Sequence, residues 1–265
     1  MEGDWKAVKI KHWAAVLVCL TLCAEQTAAA SPAGQKGRDY YEARGEIVWE
    51  VPTTDKVVAL TFDDGPDPEK TPAILNLLKQ YDAKATFFVV GNRVEQYPDI
   101  LLEEFREGHE IGNHTYKHTY FNMIKNARTM PEEISRTEDS IFALTGQRTT
   151  LFRPPGGYYN SQLIDYTKSH GYLAVLWSWH QDTRDWARPG VGRITDKVLR
   201  NLHSGDIILM HDHVEHSLQT VEALRIILPE LKKRGYECVT VTELLKHQQG
   251  TEPVRNDPNS KKAGP

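Results

Sequence analysis

Two adjacent carboxylates, Asp63 and Asp64, follow the apolar run 57–60, at the point where a strand should end. Gly65 and Pro66 favour a turn directly after them. Successive side chains of a strand point to opposite faces, so one acid can bind a metal ion while the other handles protons. Two ionised neighbours repel each other unless a cation or an arginine offsets their charge. A plain Asp-Gly turn with a spare acid is the alternative.

Two histidines four residues apart, His114 and His118, follow the strand-like segment 109–113. A helical turn here would place both imidazoles on one face, where they suit a single metal ion. With Asp64 they form a two-His, one-Asp set, which leaves coordination positions open for water and substrate.

The loop that follows the next strand contains Arg153 and is rich in proline and glycine. Its guanidinium can pair with a carboxylate, and a backbone N–H of the loop can stabilise an oxyanion. An ordinary rigid turn is the competing interpretation.

The segment 177–186 carries three tryptophans interleaved with Asp182 and Asp185. The indoles suit either a sugar platform or a hydrophobic patch, and a buried Asp could orient a histidine. His211 ends a further strand-like run and is the candidate for that histidine. With His213 and His216 it also forms a rival metal cluster, which lacks a carboxylate at a fixed strand position.

Apolar runs alternate with helical patterns along the chain, which is typical of parallel βα units. We predict an α/β fold, a distorted (β/α) barrel of about seven strands. The expected strands are 57–62, 85–90, 109–113, 149–152, 172–177, 206–210 and 237–241, with an edge strand in 46–51. The expected helices are 71–81, 97–107, 131–144, 161–170, 193–202 and 218–233. In such barrels the active site lies at the carboxyl ends of the strands, where the singled-out residues all fall: Asp63, Asp64, His114, His118, Arg153, Asp185 and His211.

The N-terminus resembles a secretion signal, with lysines, an apolar run 13–24 and small residues up to Ser31. We expect a signal peptide over 1–30, cleaved after Ala30, and therefore a secreted or cell-wall-associated protein. An uncleaved membrane anchor is the alternative. Residues 31–50 are expected to be a linker with the short edge segment, 51–247 the catalytic domain, and 248–265 a disordered tail.

Composition narrows the function further. The net charge of −4 and the pI near 6.3 give no footprint for nucleic acid. Two of the three cysteines lie in the presumed signal, so Cys238 remains alone and no intrachain disulfide is expected. A lone thiol in a strand-like run is usually a small buried hydrophobe. No obligate protein partner is predicted.

Five ordered motifs of this sequence resemble those of the polysaccharide deacetylases, carbohydrate esterase family 4, whose unit is the NodB-homology domain. The resemblance covers about residues 50–245. The motifs are Thr61-Phe62-Asp63-Asp64-Gly65-Pro66, His114-Thr115-x-x-His118, Arg153-Pro154-Pro155, Asp182-x-x-Asp185-Trp186 and Leu209-x-His211.

The resemblance implies a hydrolase that removes N-acetyl groups from amino sugars of a polysaccharide, either peptidoglycan or a chitin-like chain. Asp64, His114 and His118 would bind one divalent metal, zinc most often, with cobalt or nickel as alternatives. Asp63 would be the base for a metal-activated water that attacks the amide carbon. His211 would be the acid that protonates the leaving amine.

The remaining site residues have supporting roles in the same resemblance. Arg153 would orient Asp63, and Asp185 would tune His211. Trp186 and Leu209 would line the acetyl pocket, and the N–H of Gly156 would contact the substrate.

The chain departs from the family in one motif. Many members carry an aromatic residue after Arg-x-Pro, where this chain has Gly156 and Gly157. Tyr158 or Tyr159 would have to replace that ring. Two other functions stay open, an O-acetyl esterase acting on xylan-like polymers and a carbohydrate-binding relative without turnover, although no base, ligand or acid is missing.

Overall fold

The computed structural model of the protein describes residues 36–123 and 128–249. The predicted signal peptide and the part of the predicted tail beyond Gln249 lie outside these residues. Within them, eight strands form one parallel sheet, as the alternating pattern predicts: β1 Ile47–Val48, β2 Val57–Asp63, β3 Ala85–Val89, β4 Glu110–Asn113, β5 Leu151–Phe152, β6 Leu173–Val175, β7 Ile207–His211 and β8 Glu237–Cys238.

Helices connect these strands in the described part of the chain. They are α1 Arg38–Glu42, α2 Lys70–Gln80, α3 Gly91–Gln96, α4 Pro98–Arg106, α5 Thr129–Thr145, α6 Ser161–Ser169, α7 Val191–Arg200, α8 Gln219–Lys233 and α9 Val241–Lys246. The six predicted helices are present with ends within two residues of those expected. The additional helices α1, α3 and α9 are five or six residues long, too short for an apolar period to show in the sequence.

The strand order β1-β6-β5-β4-β3-β2-β7, with β8 beside β2, confirms a distorted (β/α) barrel. Its ends, β1 and β7, are joined by backbone outside the strands, which includes a 3₁₀ turn at Trp179–Gln181. An antiparallel bridge links Glu50 to Asp206, and a parallel bridge links Asp182 to Leu209. The Ser178 N–H donates to the carbonyl of Ile207 at 3.0 Å. Residues 178–182 thus take the place of a closing strand.

The central strand β2 is buried along its whole length, which explains its continuous apolar run. Val58, Leu60 and Phe62 pack against the helices, whereas Val57 and Ala59 belong to a separate apolar cluster. Because strand side chains alternate, Thr61 and Asp63 share the inner face with that second cluster.

The segment 36–50 differs from the linker that the sequence suggested. Tyr41 of α1 and Trp49 after β1 are buried in one apolar cluster with Ile164, so this segment packs as part of the domain. The strand predicted over 237–241 ends early. The reason is that Thr240 caps α9, its side chain accepting a hydrogen bond from the Glu243 N–H at 3.2 Å.

Candidate active site

A cleft of about 360 Å³ opens at the carboxyl ends of the strands. Most of the predicted site residues line it: Asp63, Asp64, His114, His118, Gly156, Tyr158, Trp186, Leu209 and His211. Three further residues also line it: Tyr120, Trp177 and Asp182. Arg153 and Asp185 are fully buried behind the cleft. The rigid-turn and spare-acid alternatives do not account for this convergence.

Asp63 and His211 face each other because β2 and β7 pair in parallel with these two residues in register. Both residues end their strands, and the alternation of side chains directs both to the inner face. One carboxylate and one imidazole therefore flank the cleft from neighbouring strands.

Arg153 fixes the Asp63 carboxylate. Its Nη1 donates to Asp63 Oδ1 at 2.7 Å and to Thr61 Oγ1 at 2.8 Å. Its Nε and Nη2 donate to the carbonyls of Val175 and Leu176, and its guanidinium lies 4.0 Å from the centre of the Phe88 ring. Arg153 therefore occupies only the Oδ1 oxygen of Asp63. The other oxygen, Oδ2, is on the side of the cleft and lies 3.7 Å from His114 Nε2.

Asp64, His114 and His118 bring one ligand atom each within 4.8 Å of one another. His114 is buried, and its Nδ1 lies 2.7 Å from the carbonyl oxygen of Arg153. That carbonyl can only accept, so Nδ1 carries a proton, and Nε2 is the ring nitrogen that faces the cluster and could bind a metal.

The environment of Asp64 fits a cation. Its Oδ1 is buried without a hydrogen-bond partner in the described structure, although His118 Nε2 lies 3.1 Å and His114 Nε2 3.5 Å away. Burial works to raise the pKa of Asp64, but the imidazoles of His114, His211 and His118 outweigh it and hold the pKa well below its usual range. Burial and the neighbouring His114 lower the pKa of His118, which favours the neutral form of that imidazole near pH 7.

The segment 114–118 does not form the helical turn that the four-residue spacing of its histidines would allow. The segment is irregular, and left-handed backbone at Thr115 (φ 70°) and His118 (φ 55°) brings the two rings to a centroid distance of 5.2 Å. Asp64 is also left-handed, with φ 77°. Such conformations cost about 1–3 kcal/mol each for residues other than glycine and cluster at functional sites.

His211 is paired with a buried carboxylate. Its Nδ1 lies 2.7 Å from Asp185 Oδ1, and its backbone N–H donates to Asp185 Oδ2 at 2.8 Å. Thr220 Oγ1 also donates to Oδ2 at 2.7 Å. Burial lowers the pKa of His211, but the Asp185 charge and hydrogen bond, aided by Asp64 and Asp63, raise it to about 10. The imidazole is therefore protonated at neutral pH.

The rival cluster of His211, His213 and His216 does not form among the described residues, where the three-residue groups of candidate ligands lie elsewhere. His213 Nδ1 instead contacts Asp67 Oδ2 at 2.7 Å.

Of the two tyrosines that follow Gly156 and Gly157, one lies at the cleft and the other in the core. Tyr158 lines the cleft, whereas Tyr159 packs against Tyr41 and Trp49 in the core. Gly156 has φ 65°, and a Cβ there would lie 2.7 Å from the Tyr120 ring and 2.9 Å from the Tyr158 ring. The glycine thus allows two tyrosines to approach the loop.

Tyr120 was not predicted from the sequence. Its ring meets His118 edge-on with centroids 5.1 Å apart. Its position two residues after His118 was the available signal.

Cys238 is buried, and burial raises the pKa of its thiol to about 12. It is a packing residue, as expected.

Comparison with known proteins agrees with the site. The profile of the polysaccharide deacetylase family matches residues 50–175. A peptidoglycan-N-acetylglucosamine deacetylase of Bacillus cereus is 48% identical over 211 residues, covering 80% of this chain and 98% of that protein. A chitooligosaccharide deacetylase of a Bradyrhizobium species is 36% identical over 198 residues, covering 71% of this chain and 90% of that protein.

A solved structure of a peptidoglycan N-acetylglucosamine deacetylase, in complex with 4-naphthalen-1-yl-N-oxidanyl-benzamide, superimposes with a TM-score of 0.74 at 35% identity. The superposition covers 80% of this chain and 98% of that one. The chain belongs to the polysaccharide deacetylase family, whose members use a divalent metal. It is a deacetylating hydrolase.

Proposed function

We propose that the protein removes N-acetyl groups from N-acetylglucosamine residues of peptidoglycan, with Zn²⁺ held by Asp64, His114 and His118. The observation that carries the mechanism is the pairing of Asp63 and His211 across the cleft, each locked by a buried partner of opposite charge. The choice of substrate is supported by the relative that shares 48% identity and is named for that activity.

The metal, when bound, supplies Lewis acidity that activates water and polarises a carbonyl. The imidazoles of His114 and His118 and the carboxylate of Asp64 are ligand types that suit zinc, and three ligands leave positions open for water and substrate.

Asp63 acts as the general base. Arg153 holds its Oδ1, so Oδ2 is the oxygen that takes the proton of the attacking water. The water oxygen bonds to the amide carbon, which becomes tetrahedral, and the former carbonyl oxygen takes the negative charge. Gly156 lines the cleft, and its backbone N–H is the proposed donor to that oxygen, because the N–H groups of Gly157 and Tyr158 donate to carbonyls within the loop.

His211 acts as the general acid. An amine anion is a poor leaving group, so the C–N bond breaks only as the nitrogen accepts a proton. The Nδ1 of His211 is engaged by Asp185, which leaves Nε2 to deliver that proton. The products are acetate and a free amino sugar.

The side walls of the cleft bind the sugar chain in this proposal. Trp186 and Tyr158 both line the cleft and are 58% and 49% exposed, so their ring faces are free to stack on a sugar. Leu209 is buried at the floor, where it provides an apolar contact for the acetyl methyl group.

The test is acetate release by the zinc-loaded protein from three substrates: peptidoglycan fragments, acetylated chito-oligomers and O-acetylated xylan. Mass spectrometry of a defined muropeptide locates the sugar that loses its acetyl group. We expect the fastest release from peptidoglycan, at N-acetylglucosamine. Loss only at N-acetylmuramic acid, faster turnover of chito-oligomers, or faster turnover of xylan would each replace the proposed substrate. No release with any divalent metal would sink the proposed activity.

We also propose that the protein acts outside the cytoplasm, because its N-terminal sequence resembles a secretion signal and peptidoglycan is an extracellular polymer. In residues 36–123 and 128–249, no helix combines the length and the apolar character needed to cross a membrane. Fractionation of the native host, with detection of the cleaved N-terminus, tests the location and the cleavage after Ala30.

A further inference from the structure

A second group of potential metal ligands lies away from the cleft. It consists of His180, His203 and Asp206, whose ligand atoms lie within 4.8 Å of one another. Asp206 immediately precedes β7, whose opposite end carries His211. At about 3.3 Å per strand residue, roughly 16 Å separates Asp206 from His211. The group is therefore distinct from the catalytic triad of ligands.

Protons alone cannot satisfy the contacts within this group. His180 Nε2 lies 2.9 Å from Asp206 Oδ1 and 3.0 Å from His203 Nδ1. If Nε2 carries its proton, it can be directed at one of these two atoms but not both. If Nε2 is unprotonated, its lone pair faces a carboxylate oxygen. A shared cation removes the conflict, because all three atoms can then present lone pairs to it.

The spacing suits a small transition-metal ion. A tetrahedral ion with bonds of about 2.0–2.1 Å separates its ligand atoms by about 3.3–3.4 Å. The two observed separations are a few tenths of an ångström shorter, so binding needs only a slight outward movement of the rings.

The carboxylate is held as metal-ligating carboxylates are. Asp206 is buried, and its Oδ2 accepts hydrogen bonds from the His203 N–H at 2.8 Å and from Gln181 Nε2 at 2.9 Å. Both donors are neutral, so they orient the group without cancelling its charge. The other oxygen, Oδ1, is directed at His180.

The site also has room for a further ligand. A cavity of about 560 Å³ adjoins it and is lined by His180, His203, Asp206 and Glu50. Water can complete four-coordination there, since the nearby Glu50 carboxylate is paired with Arg38 at 2.8 Å. The pair of His247 and Asp55 gives a contrast, since its 2.7 Å contact involves one imidazole and one carboxylate and, in the part of the chain that the structure describes, no third ligand joins them.

We propose that His180, His203 and Asp206 bind a structural Zn²⁺ ion. The ion would link the segment 178–182 to the turn before β7, where the barrel closes. His180 lies in the 3₁₀ turn of the segment 178–182, which replaces a strand beside β7. His203 and Asp206 belong to the turn that enters β7. The ion ties these two parts of the chain together. Asp185 and Trp186 follow the same segment, so the ion stabilises the support of the acid side of the cleft.

The test uses the full-length chain without an affinity tag, in a His114→Asn/His118→Asn background that removes the catalytic ligands. After chelation and dialysis, zinc chloride is titrated and metal content is measured by mass spectrometry. We expect one zinc per chain in this background. Adding His203→Ala weakens binding by at least about ten-fold, because losing a ligand exceeds the effect of losing a supporting group. Adding His247→Ala, the matched control, leaves it unchanged.

Thermal unfolding of the same proteins gives a second readout. At one fixed zinc concentration, zinc raises the midpoint equally in the background and in the His247→Ala variant and by less in the His203→Ala variant. His203 is exposed, so its substitution leaves the fold intact, and His180→Gln serves as an independent second variant. The proposal is overturned if the background protein takes up no zinc, or if it keeps the same affinity without His203 and without His180.

Discussion

The two sides of the cleft use histidine in opposite ways. On the β2 side, the Nδ1 of His114 meets a backbone carbonyl at 2.7 Å. On the β7 side, the Nδ1 of His211 meets the Asp185 carboxylate at the same 2.7 Å. The carbonyl accepts a hydrogen bond from Nδ1–H and so leaves Nε2 as the nitrogen that can bind a metal. The carboxylate favours the imidazolium and raises the pKa of His211 to about 10, although burial alone would lower it.

The difference shows that the partner of one ring nitrogen decides the chemistry of the other. A dipole orients the ring without paying for a positive charge, whereas a full negative charge stabilises one. A ligand and a proton donor can therefore be made from the same residue type in one cleft.

The largest effect is expected from removing a metal ligand on the β2 side of the cleft. His114→Asn should abolish zinc binding at the catalytic triad and reduce acetate release by more than about 10⁴-fold, beyond the roughly 10²–10⁴-fold that general acid–base catalysis contributes. Chelation of the wild type should match it, and zinc should restore the wild type alone. His170→Asn, at an exposed histidine of α6's C-terminal end, is the control. Activity that survives in the chelated wild type would contradict the metal site.

On the β7 side, Asp185→Asn removes the negative charge that pairs with His211. The amide cannot stabilise the imidazolium, so the pKa of His211 should fall from about 10. Because the proton donor must be charged, the alkaline limb of the pH–rate profile should move to lower pH, and kcat should fall by about 10²-fold. Profiles of kcat against pH for both proteins measure the shift.

The free energy of unfolding should also depend on pH through the pair of His211 and Asp185. A folded-state pKa raised above the ordinary value of 6.5 adds stability that is complete below pH 6.5 and is lost as the pH rises through about 10. Denaturant titrations should show this loss in the wild type and not in Asp185→Asn. Asp55→Asn removes a carboxylate from an exposed pair with His247 and should alter neither profile. An alkaline limb that stays in place in Asp185→Asn would rule out the assigned acid.

The strands of the fold were predictable because burial imposes a simple pattern. The run that forms β2 is buried on both faces, and its strand end placed Asp63 and Asp64 correctly beside the other site residues. The register of β2 with β7 was not in the sequence, since parallel strands distant in the chain show no pairing signal. It is this register that sets Asp63 opposite His211.

The detailed geometry of the ligands was less predictable. The four-residue spacing of His114 and His118 suggested a helical turn, but left-handed residues produce the convergence instead. Propensity disfavours such backbone for Thr115, which is β-branched, so only the surrounding structure can impose it. Short helices such as α3 and the closing segment 178–182 escaped prediction because their contacts are tertiary rather than periodic.

The smallest effect is expected from substituting Trp186, the cleft-lining residue beside the pair of Asp185 and His211. Trp186 follows Asp185, and its contact with that carboxylate is through the backbone N–H, at 3.0 Å. Trp186→Ala therefore keeps the support of His211 and removes only the exposed indole. An aromatic contact contributes about 0.5–1.5 kcal/mol, so KM should rise by about two- to ten-fold with kcat and its pH profile unchanged. Trp179→Ala, at a more exposed indole that does not line the cleft, should change neither constant. A fall in kcat for Trp186→Ala would mean that the indole also holds the acid in place, and the separation between the binding wall and the proton-donating pair would fail.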